Sequence, residues 1–118
     1  MQTKPLSGRS ILVAEDEAIV ALDLAESLRA CGATVLLAAT VDRALNIVEH
    51  NHQVDGAVID INLRGKLAYP VAEALRERDI PFVFATGYAQ SFMPATYARM
   101  PHCSKPVDVR RVIDALAA

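Results

Sequence analysis

The 118-residue sequence predicts an open α/β fold, a (βα)5 unit with a doubly wound parallel sheet, on three observations. Short runs rich in β-branched residues recur along the chain, segments with helical periodicity separate them, and the short runs are apolar throughout, as expected of strands covered on both faces. Such alternation implies right-handed crossovers that place helices on both sides of the sheet.

The first strand run, Ser10-Ile-Leu-Val-Ala14, stops at Glu15-Asp16. In the helical segment that follows, near 17–30, Val20, Leu24, Leu28 and Cys31 fall on one stripe and are expected in the core, whereas Ile19 and Leu22 point away and are expected to be exposed. Gly32 reads as the helix stop, 33–38 as the second strand, and Thr40 as the N-cap of a helix over 40–50. A third apolar run, 54–59, stops at Asp60 and leads to a helix near 67–78. The fourth strand, 81–86, ends at Thr86 and precedes a segment near 90–99 whose helix should begin near Pro94 and stay short, because proline cannot donate a helical hydrogen bond. A last short strand at 101–103 runs to Lys105-Pro106, and a final helix is expected over 107–117. Residues 1–8 read as an N-terminal tail and 9–118 as one domain, with no repeat or linker and no room for an output domain.

Composition narrows the function. A chain of this length buries roughly two-thirds of its unfolded surface and needs no disulfide. Cys31 and Cys103 belong to no CxxC or Cys/His cluster, so both read as reduced thiols rather than zinc ligands. No apolar run approaches a membrane span, and Met1 to Ser7 lacks the apolar stretch of a secretory signal, so a cytoplasmic protein that engages no membrane is expected. With a net charge of −2 and scattered Lys and Arg, nothing supplies a nucleic-acid stripe, and Arg110-Arg111 reads as a solvated charged face.

Polar residues at the strand ends carry the chemistry. Taken singly, each has an ordinary explanation: Glu15-Asp16 at the positive end of a helix, Thr86 as a cap, Lys105 as a surface charge. Taken together they converge, since all strands of a parallel sheet end on one edge, and the 2-1-3-4-5 strand order sets the first strand beside the third. Glu15, Asp16 and Asp60 then share a crevice. Two unit charges ~4 Å apart repel by roughly 4 kcal/mol at an effective dielectric near 20, so the cluster calls for a cation, and magnesium suits an all-oxygen donor set. Thr86 and Lys105 add a hydroxyl and an ammonium suited to phosphoryl oxygens. Pro106 makes a cis peptide tolerable after Lys105, a geometry that would turn the lysine inward.

In family order and at family-like spacing, Glu15-Asp16, Asp60-Ile-Asn-Leu, Ala85-Thr86-Gly87 and Lys105-Pro106 resemble the receiver domains of two-component response regulators, over about Arg9 to Ala117. The resemblance implies a flavodoxin-like fold with Asp60 as phosphoacceptor. It further implies Asp16 as a direct magnesium ligand, Glu15 acting largely through bound water, and the carbonyl of Asn62 completing the ligand set. Thr86 and Lys105 would contact the phosphoryl group. A histidine kinase or histidine phosphotransfer protein would be the donor, and the chain a monomer or weak dimer acting as a phosphoacceptor with self-phosphorylation and autodephosphorylation, not as an enzyme. The stretch Pro81-Phe-Val-Phe-Ala-Thr-Gly-Tyr88 further looks like a subgroup of stand-alone receivers with a P-F-x-F-A-T-G run. His102 departs from the family, standing where many receivers carry a switching Tyr or Phe, and Tyr88 occupies a place where the family varies a side chain that tunes water access. Rival readings are a phosphorelay intermediate or phosphate sink, a phosphorylation-independent binding module, and a small phosphohydrolase. The last is disfavoured because Asn62 stands where that nucleophile motif has a second aspartate.

Overall fold

The computed structural model describes residues 4–50, 53–86, 100–105 and 107–117, and of Thr86 and Ala117 the backbone alone. Five strands, β1 (Ser10–Ala14), β2 (Thr34–Ala38), β3 (Gly56–Asp60), β6 (Phe82–Thr86) and β7 (His102–Ser104), pair in parallel in the order β2-β1-β3-β6-β7. Counted along the main sheet this is the expected 2-1-3-4-5 order, the flavodoxin-like arrangement. Its register sets Ala14 beside Ile59, Asp60 beside Ala85, and Thr86 beside Ser104, which fixes where the strand-end residues emerge.

Alternate residues of each strand serve opposite cores. Leu12, Ile59 and Phe84 pack with α2 (Val41–His50) and α3 (Tyr69–Glu77) on one side, while Ile11, Val13, Val58 and Val83 meet α1 (Ala18–Ala30) and α4 (Val109–Ala117) on the other. β1 and β3 are covered on both faces, but β2 is an edge strand whose residues are mostly part-exposed, so an apolar sequence there did not mean complete burial. Cys103 lies within the second core, where burial pushes its thiol up and keeps it neutral.

Local chemistry explains the helix ends. Thr40 Oγ1 accepts the Arg43 N–H at 3.1 Å, the expected N-cap of α2. After α1 the chain reverses at Gly32 with φ +96°, where a Cβ would lie 2.9 Å from Ser7 Cα. The close approach exists because the residues ahead of β1 fold back on the helix end: Leu6 is fully buried and its N–H donates to the Cys31 carbonyl at 2.8 Å. On α1 the buried stripe is Ala21, Leu24, Ala25 and Leu28, with Val20 and Cys31 only half-buried. Burying the two leucines contributes roughly 1.5–3 kcal/mol each. Ile19 and Leu22 are 83% and 52% exposed, as their angular position required.

α3 starts at Tyr69, not at 67, because residues 62–67 form a small antiparallel hairpin, β4 (Asn62–Leu63) with β5 (Lys66–Leu67). The helix expected near 90–99, its start at Pro94, and the roles of Tyr88 and Pro106 lie outside the described residues. No helix among the described residues is long and apolar enough to cross a membrane.

Candidate functional site

β1, β3 and β7 end on the same sheet edge and bring four of the predicted side chains together. One carboxylate oxygen each from Glu15, Asp16 and Asp60 lies within 4.8 Å of the others. Lys105 Nζ reaches in from beyond β7 and donates to Asp60 Oδ2 at 2.7 Å and to Glu15 Oε2 at 3.0 Å. Glu15 and Asp60 are 7% and 6% exposed, and among the described residues they are the buried charged groups. Asp16 is half-buried at the mouth.

Backbone amides hold the carboxylates from the other side. The Asn62 N–H donates to Asp60 Oδ1 at 3.2 Å, and the Arg64 N–H donates to Asp16 Oδ2 at 2.9 Å. Asp60 is thereby held at both oxygens, by an amide on one and an ammonium on the other. Asn62 stands at the start of β4, and its side-chain oxygen is occupied by the Gly65 N–H at 2.8 Å. Thr86 closes β6 in register with Ser104, one residue before Lys105; its side chain lies outside the described residues.

The charges strain against one another. Burial, the hydrogen bond with Asp60 and the negative charge of Asp60 together push the Glu15 carboxyl up to about 7, against the opposing pull of Lys105. Burial acts to lower the Lys105 ammonium, but its hydrogen bonds to Asp60 and Glu15 and their charges outweigh this and raise it, so it stays protonated at neutral pH. Three carboxylates against one ammonium leave a formal charge of −2 in a partly buried pocket. Hard oxygen donors of that number and charge fit a divalent cation of the magnesium or calcium type.

Two further features flank the site. A groove of about 480 Å³ runs beside it, lined by Glu17, Ile19, Asp23 and Leu24 of the α1 region together with Lys105 and Val107. On β7, the His102 ring sits 5.5 Å from that of Phe84 at 34°, half-buried, and burial holds its imidazole below the usual range despite a backbone hydrogen bond with Met100. The amide of Arg64 was not foreseeable as a site group, because a backbone donor carries no side-chain signature; Asn62 and Gly65 were the turn signals in that stretch.

No family model matches the chain, and no curated protein matches it. Solved structures do. SdrG from Sphingomonas melonis Fr1, determined in solution, is 37% identical with both chains covered in full and a TM-score of 0.81. The BeF3-activated conformation of SdrG, from Pseudomonas melonis Fr1, is 39% identical over 99% of this chain and 97% of that one, with a TM-score of 0.74. A response regulator receiver protein from Sinorhizobium medicae WSM419 is 26% identical over 93% of this chain and 95% of that one, at a TM-score of 0.78. With the sheet order and the acid cluster, these likenesses place the chain in the response regulator receiver family, to which it belongs. Within that family it is similar to SdrG along its whole length.

Proposed function

We propose that this receiver accepts a phosphoryl group from the phosphohistidine of a histidine kinase or phosphotransfer protein onto Asp60, and signals in the cytoplasm through altered protein contacts. The observation that carries the reading is the Lys105 ammonium bridging two buried carboxylates, 2.7 Å from Asp60 and 3.0 Å from Glu15. Structural stability alone does not favour such a cluster, since burying like charges is costly and a well-packed apolar set would serve as well. Likeness to SdrG, which has a BeF3-activated conformation, supports the same reading.

In the transfer, an oxygen of Asp60 forms the O–P bond as the N–P bond to the imidazole breaks, and the electron pair remains on the imidazole nitrogen. A loose phosphoryl transition state leaves the protein chiefly the tasks of positioning and charge neutralisation. The Asn62 amide fixes the Asp60 carboxylate for attack. Lys105, already protonated and within reach, shifts from Asp60 toward the incoming phosphoryl oxygens while Glu15 keeps it in the site. Glu15, Asp16 and Asp60, with the Asn62 carbonyl, would hold Mg2+, which when bound neutralises charge on the phosphoryl oxygens. Thr86, at the end of the strand between those of Asp60 and Lys105, would donate its hydroxyl to the same group. The chain acts as a phosphoacceptor and not as a turnover enzyme. Exposed Ile19 and Leu22 and the adjoining groove offer the phosphodonor a docking face next to the acceptor.

Incubation with acetyl phosphate and magnesium should add one phosphoryl group, seen by intact mass and lost in mild base. Asp60→Asn should take none. Equal labelling of that variant sinks the assignment of Asp60, and a steady turnover of small phosphomonoesters would favour a hydrolase instead.

A further inference from the structure

Between β3 and α3 the chain builds more than a connection. β4 and β5 pair Asn62 with Leu67 and Leu63 with Lys66, joined by a two-residue turn in which Arg64 (φ 51°) and Gly65 (φ 83°) are both left-handed, the pattern of a type I′ hairpin. Such a short hairpin has no stability of its own, and a left-handed arginine costs about 1–2 kcal/mol. Three anchors hold it: the Leu63 side chain is buried in the core, the Ala68 N–H donates to the Ile61 carbonyl at 2.7 Å across the base, and Asn62 Oδ1 accepts the Gly65 N–H at 2.8 Å across the turn.

The turn so fixed aims backbone amides at two acids from different strands, Asn62 at Asp60 and Arg64 at Asp16. Asp16 is the least buried member of the acid set, and the Arg64 amide restricts its rotation. Holding one of its oxygens leaves the other for a cation and removes part of the entropy lost on binding.

We propose that the 62–67 hairpin is a positioning element that sets the divalent-cation affinity of the Glu15, Asp16 and Asp60 cluster, with Gly65 and the Asn62 side chain as its positioning residues. The proposal rests on the cation-site reading given above. What reaches Asp16 is a backbone amide, so the property depends on turn geometry and not on the charge of the hairpin.

The test is magnesium titration by calorimetry on the parent, Gly65→Val, Gly65→Asn, Asn62→Ala and Lys66→Ala. A β-branched residue cannot hold φ near +83°, whereas asparagine tolerates it. Gly65→Val and Asn62→Ala should each weaken magnesium binding about 10-fold, as loss of groups that orient metal ligands does. Gly65→Asn should fall between them and the parent. Lys66→Ala, which removes a charge from the same hairpin without touching the turn, should bind as the parent does. In acetyl phosphate labelling, the magnesium needed for half-maximal rate should rise by the same factor in the two weakened variants. Parent-like affinity in both Gly65→Val and Asn62→Ala overturns the proposal. If the parent itself binds no magnesium, the cation-site reading falls and the hairpin's role with it. Should Gly65→Val fail to fold in metal-free melting, Asn62→Ala decides alone, because alanine keeps the backbone carbonyl and loses only the turn acceptor.

Discussion

Replacing Lys105 by methionine keeps the length and most of the volume of the side chain and removes the one positive charge that, among the described residues, is paired with the buried carboxylates. At an effective dielectric near 20, an ammonium 2.7 Å from Asp60 and 3.0 Å from Glu15 gains roughly 6 and 5–6 kcal/mol of gross attraction. Most of that is offset by the desolvation of all three groups. Removing one partner of a fully buried pair costs about 3–5 kcal/mol net, and Lys105, with a side chain 23% exposed, should cost somewhat less, about 2–4 kcal/mol at pH 8 without metal. For a domain of this size that is a fall of about 8–16 °C in Tm. The pH dependence has a defined sign. Because the Glu15 carboxyl is raised from 4.5 to about 7, the metal-free protein gains stability as pH falls from about 7 toward 4.5. Lys105 is also raised, so its contribution is fully present below its ordinary 10.5 and does not vary between pH 6 and 8. Without the ammonium, Glu15 should take up a proton more readily, and the deficit of Lys105→Met should shrink by about half at pH 6. Thermal melting in EDTA at pH 6 and pH 8 checks this. A variant within 2 °C of the parent at pH 8, or a deficit that grows on acidification, would falsify the electrostatic account.

The repulsion itself can be tested by removing acids. Without metal, Asp16→Asn and Asp60→Asn should each be at least as stable as the parent, since each subtracts one member of a like-charge cluster; magnesium should then raise the Tm of the parent by mass action and do so much less in Asp16→Asn. Equal magnesium shifts in the parent and Asp16→Asn would remove Asp16 from the cation site. Leu22→Glu, on the exposed face of α1, should slow transfer from a cognate phosphodonor while leaving acetyl phosphate labelling nearly unchanged; loss of both would point to damaged folding. Thr40→Ala should cost about 1 kcal/mol through loss of the α2 cap, read by urea denaturation, and an unchanged midpoint would show that water replaces the hydroxyl at no cost.

Much of this protein was legible in the sequence because the relevant signals are periodic or fall at chain breaks. Apolar runs such as Gly56–Asp60 and Phe82–Thr86 gave the central strands, and a polar residue at the end of each marked the edge where a parallel sheet must gather them. With the 2-1-3-4-5 order of the flavodoxin-like arrangement taken as the expectation, Glu15, Asp16, Asp60 and Lys105 could be assigned to one site before any distance was known. Exposure of Ile19 and Leu22 followed from helical angles alone.

Tertiary structure decided the rest, for reasons that a linear pattern does not contain. The core stripe of α1 runs through Ala21 and Ala25, because small residues bring the helix close to the sheet, and hydropathy ranks them below the neighbouring Val20. β2 is part-exposed because an edge strand is covered less completely than a central one, and its apolar run, like those of the central strands, does not record how much cover each residue receives. The 62–67 hairpin was not foreseen, and its last residue was assigned to a helix, since two-residue strands carry no period; the Arg64 amide that holds Asp16 belongs to the backbone, which is the same at every residue. Above all, the raised Glu15 carboxyl depends on burial and on Asp60 and Lys105, residues 45 and 90 positions away along the chain. Residue types determined which charges the site would contain; only packing decided how strongly those charges feel one another.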